Sequence, residues 1–334
     1  MMKALRTHAA GGPETLVLEE IADPVPGKGE VLIEVHACSI NFPDTLMIRD
    51  LYQFRPERPY APGSELAGRI LALGEGVTGW SVGDRVIAMI GHGGLAQKVV
   101  APVQRLFALP DGVDYATGAS LLMTYGTTIH GLKDRGHIKE GDTVLVLGAA
   151  GGVGLSAVEL AKAFGARVIA AVSSEEKAQV ARAAGADDVV IYGRAPFDKA
   201  QSKALAEQFK AACGPNGANI IYDVVGGDYS EPALRAIAWE GRFLVVGFPA
   251  GIARLPLNLT LLKSCDVCGV FWGAWTAREP AAFKAEVEEL FALLKEGRIN
   301  PRISQRFALE QGREAIALLE NRQAVGKIVV EMIG

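Results

Sequence analysis

Seven residues, Gly148-Ala149-Ala150-Gly151-Gly152-Val153-Gly154, constrain this chain more than any other stretch, because of what stands on either side of them. Before them, Thr143–Leu147 is a short apolar run of the kind a buried strand requires. After them, Val153–Phe164 carries apolar residues at helical spacing and closes at Gly165. The same alternation then repeats. Val168–Val172 reads as a strand, Ser174–Ala184 as a helix opened by Ser and closed by Gly185, and Val189–Ile191 as a strand. Lys199–Ala212 follows as a helix, Ile220–Val224 as a strand, Tyr229–Ala238 as a helix and Phe243–Gly247 as a strand. Successive parallel strands need a crossover connection, so this order predicts a parallel sheet with helices on both faces.

In that setting the glycine-rich loop has a defined use. Gly151 lets the backbone approach a pyrophosphate, and Gly154 lets the helix pack closely on the strand. The helix N-terminus turns N–H groups and a positive dipole end toward the phosphates. Ala149 replaces the first Gly of the usual G-x-G-x-x-G pattern. By itself such a loop is also compatible with an ordinary tight turn; the strand before it and the helix after it argue for a dinucleotide held by Ala150, Gly151, Gly152 and Val153. An NAD site wants Asp or Glu at the end of the second strand to bond the ribose 2′-hydroxyl. Here that end reads Val172-Ser173-Ser174, with Lys177 one helical turn beyond. A hydroxyl and an ammonium suit a 2′-phosphate that a carboxylate would repel, so Ser173 and Lys177 predict NADPH, with Glu175 and Glu176 pointing away. The competing reading makes Ser174 a helix cap and Lys177 a solvated side chain.

The remainder bounds the architecture. With 334 residues and 49% hydrophobic content, the chain can fill two cores. Its first third is strand-like: Val31–Ala37 alternates, and Gly68–Leu73 and Arg85–Ile90 are short apolar runs among frequent Gly and Pro. Ala116–Leu132 has helical spacing, and the C-terminal part mixes strands (Val267–Phe271, Ile328–Val330) with helices (Ala281–Lys295, Gln311–Leu319). The expected organisation is a β-rich domain over 1–122 and 265–334, interrupted by a dinucleotide domain over 123–264. A net charge of −4, from 34 basic and 38 acidic side chains without a basic block, excludes nucleic acid and anionic membranes as partners. Four Cys do not make a disulfide framework, which fits a reducing compartment. The N-terminus has no signal-peptide run and no apolar stretch is long enough to span a bilayer, so a cytoplasmic location is expected.

Beyond the loop, the chain carries Gly63-Ser64-Glu65-Leu66-Ala67-Gly68, Gly74-Glu75-Gly76-Val77, Gly83-Asp84-Arg85-Val86 and Gly326-Lys327-Ile328-Val329-Val330. With these motifs, essentially the whole chain resembles the medium-chain dehydrogenase/reductase superfamily, in its zinc-free quinone oxidoreductase (zeta-crystallin-like) branch. The resemblance implies an α/β protein: a GroES-like β-rich domain, a Rossmann doubly wound domain, an active site in the cleft between them, and homodimers or homotetramers. Zinc members place a Cys ligand where this chain has Asn41, and a His-Glu pair where it has Ser64-Glu65. Zinc prefers thiolate and imidazole ligands, and both are missing, as is the four-Cys structural loop. Cys265-x-x-Cys268 lies in a strand-like run without a second Cys pair, and reads as buried packing. A metal-free enzyme is expected.

Zinc polarises a plain carbonyl; without it, an acceptor that delocalises incoming negative charge is favoured. A quinone, which becomes aromatic, is the first candidate. An enone, acrylyl-type thioester or 2-haloacrylate is the alternative, and a cofactor-binding protein without turnover is a third. By resemblance, Asn41 and Tyr52 line the cleft and Thr127 lies near the nicotinamide. Asn41 would donate to a carbonyl oxygen or merely serve a turn before Pro43. Tyr52 would stack, donate a proton, or remain an exposed loop aromatic, with Tyr60 a weaker candidate. Ser64 and Glu65 read as structural remnants, and His130 as a packed helix residue. Tyr192 matches a position near the 2′-phosphate, Phe248, Phe271 and Gly273 match segments flanking the nicotinamide, and Lys327 matches a cofactor-side position or a strand cap. A bulky thioester would need a basic rim, for which Arg55, Arg58 and Arg278 are available.

Overall fold

In the computed structural model, which describes residues 1–332, six strands form one all-parallel sheet. Their order is Asp188–Ile191, Arg167–Val172, Thr143–Leu147, Ala218–Asp223, Ile237–Val245 and Asp266–Gly269. The first strand in the chain lies in the middle, later ones run outward on both sides, and the order reverses between Thr143–Leu147 and Ala218–Asp223. This is the doubly wound Rossmann order, whose ligands bind outside the C-terminal ends of the strands at that reversal. Val144 to Leu147 and Val168 to Val172 are at most 1% exposed, as expected for strands covered on both faces.

The chain divides into two units, Met1–Met123 with the stretch from Pro301 onward, and Thr124–Asn300. The second boundary differs from the sequence expectation of a return at 265. Asp266–Gly269 pairs in parallel with Ile237–Val245, Arg242 opposite Asp266 and Val245 opposite Gly269, so this segment completes the parallel sheet. The helices Trp272–Arg278 and Pro280–Lys295 follow before the chain returns. A second difference lies between 229 and 247. The expected helix Tyr229–Ala238 shrinks to Ser230–Leu234, because Ile237 pairs with Ala218 and belongs to the strand instead.

The other unit is built on a mostly antiparallel sheet around the long strand Glu30–Ile40, the GroES-like architecture, in which only Ile303–Ala308 and Lys327–Glu331 pair in parallel. On one side lies Lys327–Glu331, then Ile303–Ala308; on the other lie Glu65–Leu73, Arg85–Met89 and Leu106–Ala108. Lys98–Pro102 pairs with the first half of Glu30–Ile40, and Met2–Thr7 with Leu16–Ile21 forms a separate ribbon. Register is what matters for the site. Ser39 stands opposite Glu65, and Ile40 opposite Ile328, so the end of one strand meets the beginnings of its two neighbours. Among the described residues, no helix is long and apolar enough to cross a membrane.

Candidate functional site

The glycine-rich loop leaves the middle strand at the point where strand order reverses, and Gly151 becomes the N-cap of the helix Gly152–Ala163. As a glycine, Gly151 gives that helix no side-chain cap. A Cβ added to Gly151 would meet only the Gly148 carbonyl oxygen, at 3.6 Å, so the space above the helix end is open to a ligand. A Cβ on Gly154 would lie 2.1 Å from the same oxygen, which is impossible without moving the helix. The two glycines therefore differ: Gly154 is needed for packing, while Gly151 leaves room for a ligand. Behind the loop, Ser156 Oγ bonds the Val153 and Thr124 carbonyl oxygens at 2.8 and 3.2 Å. It also meets Thr128 Oγ1 at 2.7 Å, and Thr128 meets the Tyr222 hydroxyl at 2.9 Å. This buried chain ties the helix bearing Thr127 to the helix that opens the loop.

At the end of the second strand, Lys177 Nζ lies 3.2 Å from Ser173 Oγ, while Ser174 Oγ accepts the Lys177 backbone N–H. Glu175 is bonded to Arg182 at 2.8 Å, away from that pair. A hydroxyl and an ammonium thus converge where an NAD enzyme would hold a carboxylate. With the open Gly151 face and the uncapped helix end, these residues fit a phosphorylated dinucleotide. Tyr192 bonds back to the Val172 carbonyl, but its ring is only 9% exposed and packs on Tyr229 at 4.8 Å. Core packing therefore claims most of the face expected to stack on the cofactor. Phe248 and Phe271 are exposed, and Gly273 has no atom near its would-be Cβ.

Sequence reasoning missed Asp223, at the end of the fourth strand. Its buried carboxylate accepts the Val225 and Gly226 N–H groups at 2.8 and 2.9 Å and the Ser230 hydroxyl at 2.5 Å, shaping the loop beside the glycine-rich turn. Burial pushes its pKa above the usual carboxylate value. An Asp at a strand end before Gly-Gly was its one visible signal.

In the β-rich unit the register gathers Ser39, Asn41, Glu65 and Lys327, all at most 4% exposed. Lys327 Nζ donates to Asn41 Oδ1 at 2.6 Å and lies 3.4 Å from Glu65 Oε2. Glu65 Oε2 also accepts from Ser39 Oγ at 2.8 Å and Asn41 Nδ2 at 3.3 Å, and its Oε1 accepts the Met123 N–H at 2.9 Å. Lys327 supplies the counter-charge that the buried Glu65 carboxylate needs. The Asn41 amide N–H group faces Ser39 and Glu65. Catalytic zinc does not fit: the two positions hold an amide and a hydroxyl, and an ammonium lies against the amide and the neighbouring carboxylate.

Beside this network, Asp44 is fully buried and accepts the Asn41 and Gly63 N–H groups at 2.8 and 3.2 Å. Burial pushes its pKa up to about 7. Tyr52 is half-buried, and burial, then Asp44, raise its pKa, so the phenol keeps its proton at neutral pH. Tyr60 is 4% exposed and, among the described residues, its hydroxyl has no hydrogen-bond partner. Arg58 is committed to Asp50 at 2.8 Å and the Ile48 carbonyl, which removes it from the expected basic rim. Cys265 and Cys268 are buried free thiols.

A family model described as "Alcohol dehydrogenase GroES-like domain" matches residues 27–111, and one described as "Zinc-binding dehydrogenase" matches residues 152–294. The chain is 37% identical over 319 residues to quinone oxidoreductase-like protein 2 of Bos taurus, covering 95% of this chain and 89% of the relative. It is 31% identical to the quinone oxidoreductase of Homo sapiens, covering 99% and 98% of the two chains. Among solved structures, a mycobacterial protein complexed with NADPH superposes with a TM-score of 0.91 at 32% identity, over 99% of this chain and 100% of that one.

Proposed function

For a chain that belongs to the quinone oxidoreductase family of the medium-chain dehydrogenase/reductase superfamily, and so is an NAD(P)H-dependent oxidoreductase, we propose metal-independent hydride transfer from NADPH to a quinone. The observation that carries this reading is the Lys327 ammonium against Asn41 and Glu65. It leaves no place for a Lewis acid at the family's metal positions, so the acceptor itself must delocalise the incoming charge. Bound NADPH supplies the hydride. Ala150, Gly151, Gly152 and Val153 hold its pyrophosphate, Ser173 and Lys177 its 2′-phosphate, and Thr127, Phe248, Phe271 and Gly273 orient the nicotinamide. Tyr192 buttresses the phosphate end. Asn41 positions the polar network, and Tyr52 stacks on or donates a hydrogen bond to the acceptor. We also propose a homodimer or homotetramer.

One observation favours a second reading, reduction of an activated carbon–carbon double bond. Its enolate needs a proton at carbon, and Tyr52 is a half-buried phenol that could donate one. The test is an NADPH-oxidation screen of quinones against enones and enoyl thioesters, run in chelator, with Tyr52→Phe alongside. Quinones are expected to be the best acceptors, with most of the rate kept in the variant. A preference for enoyl compounds, or a loss beyond about a hundredfold in Tyr52→Phe with unchanged cofactor affinity, would establish the second reading instead.

A further inference from the structure

We infer that the unit Thr124–Asn300 carries a divalent-cation site of its own, built from His130, Asp134 and Glu286 and suited to a zinc-class ion. His130 ends the helix Thr127–His130, and Asp134 lies one turn later in its wide continuation Gly131–Arg135. Glu286 reaches in from the middle of the separate helix Pro280–Lys295. One ligand atom from each residue lies within 4.8 Å of the other two. Zinc ligands at ~2.0–2.1 Å from the metal stand about 3.3 Å apart in a tetrahedron, so side-chain rotations of roughly an ångström close the set.

The second observation concerns Glu286. Its side chain is 8% exposed and points into this cluster, yet among the described residues its Oε2 has no hydrogen-bond partner. A buried carboxylate oxygen without a donor is unfavourable; Lys133 Nζ is bonded to Glu289 at 2.6 Å and acts on Glu286 only through its charge. His130 is already oriented: its Nδ1 meets Asp134 Oδ2 at 2.8 Å and its ring stacks on Trp275 at 4.2 Å. With metal bound, an imidazole nitrogen and two carboxylates would face the ion, a donor set whose charge balances a divalent cation. One nitrogen and two carboxylate oxygens suit zinc, whereas calcium and magnesium would ask for more oxygen ligands. Asp134 is 45% exposed, which gives an ion a route in and leaves a coordination position for water.

None of the three residues is assigned to NADPH or to the acceptor, so this site stands or falls separately from the proposed reaction. Its role is to link two helices of the unit. The test strips the purified chain with chelator and titrates Co²⁺ by its visible absorption and Zn²⁺ by calorimetry. One ion per chain is expected, with a raised thermal midpoint on zinc binding. Asp134→Asn, at a half-exposed position, should weaken the affinity at least tenfold and abolish the midpoint shift; Glu286→Gln should do the same. Ions that bind equally well to both variants, or a thiolate-to-cobalt absorption band, would overturn the assignment. So would absence of binding, in which case the two carboxyls share a proton instead.

Discussion

At the end of the second strand, the proposed preference for NADPH rests on Ser173 and Lys177, whose side chains meet at 3.2 Å. One charge-assisted contact to a phosphate contributes roughly 1.5–3 kcal/mol, so NADPH should bind at least about tenfold tighter than NADH. Lys177→Ala should erode that ratio and leave the chemical step intact; equal dissociation constants for the two cofactors in the parent protein would refute the assignment. Asp44 supports a prediction about pH. Its carboxyl titrates near 3.8 when unfolded but at about 7 when folded, so between those values the folded state holds the extra proton. Stability from this group is therefore fully present below the unfolded pKa and lost as pH rises through about 7, by a few kcal/mol at ~1.4 kcal/mol per unit. Asp44→Asn should flatten the pH dependence of the urea midpoint between about 4 and 7 relative to the parent. An unchanged profile would mean that the burial effect on Asp44 is overstated.

The glycine-rich turn and its helix make a prediction by contrast. At Gly151 an added methyl meets only ordinary contact distance, whereas at Gly154 it would lie 2.1 Å from the Gly148 carbonyl oxygen. Gly151→Ala should leave thermal stability nearly unchanged and weaken NADPH binding, because the methyl fills the space the pyrophosphate needs. Gly154→Ala should destabilise the chain by ~1–3 kcal/mol, since helix and strand must part. If both variants lost only stability, the loop would be a packing device and nothing more. These elements are readable locally: Thr143–Leu147 has the predicted bounds, and the following helix differs by one residue at each end. Ribbon strands such as Met2–Thr7 and Leu16–Ile21 are not, because charges interrupt their alternation and only their partners define them.

For the whole molecule, the strand Asp266–Gly269 ends the six-stranded sheet, with Val267 41% exposed. An edge strand with an exposed apolar side chain can pair with another chain, which makes it the expected interface of the proposed oligomer. Sedimentation should find two or four chains, and Val267→Lys should shift the population toward monomer. A monomeric parent would remove the proposed oligomer, and an unaffected variant would move its interface elsewhere.

What the sequence by itself determined is everything written in neighbouring residues. It includes the alternation of strand and helix, the glycine-rich turn between the first strand of that alternation and its helix, the missing acid after Val172 and the missing thiolate and imidazole at 41 and 64. Periodicity and turn chemistry act over a few residues, so they survive in one dimension. Only the tertiary structure decided where charge goes. Lys327 meets Asn41 and Glu65 from 286 and 262 residues away, and His130 finds Glu286 across two helices. The same holds for the return of the chain at Pro301 rather than at 265. Each depends on strand register or helix packing between distant segments, and a buried charge is neutralised by whichever partner that packing brings within reach.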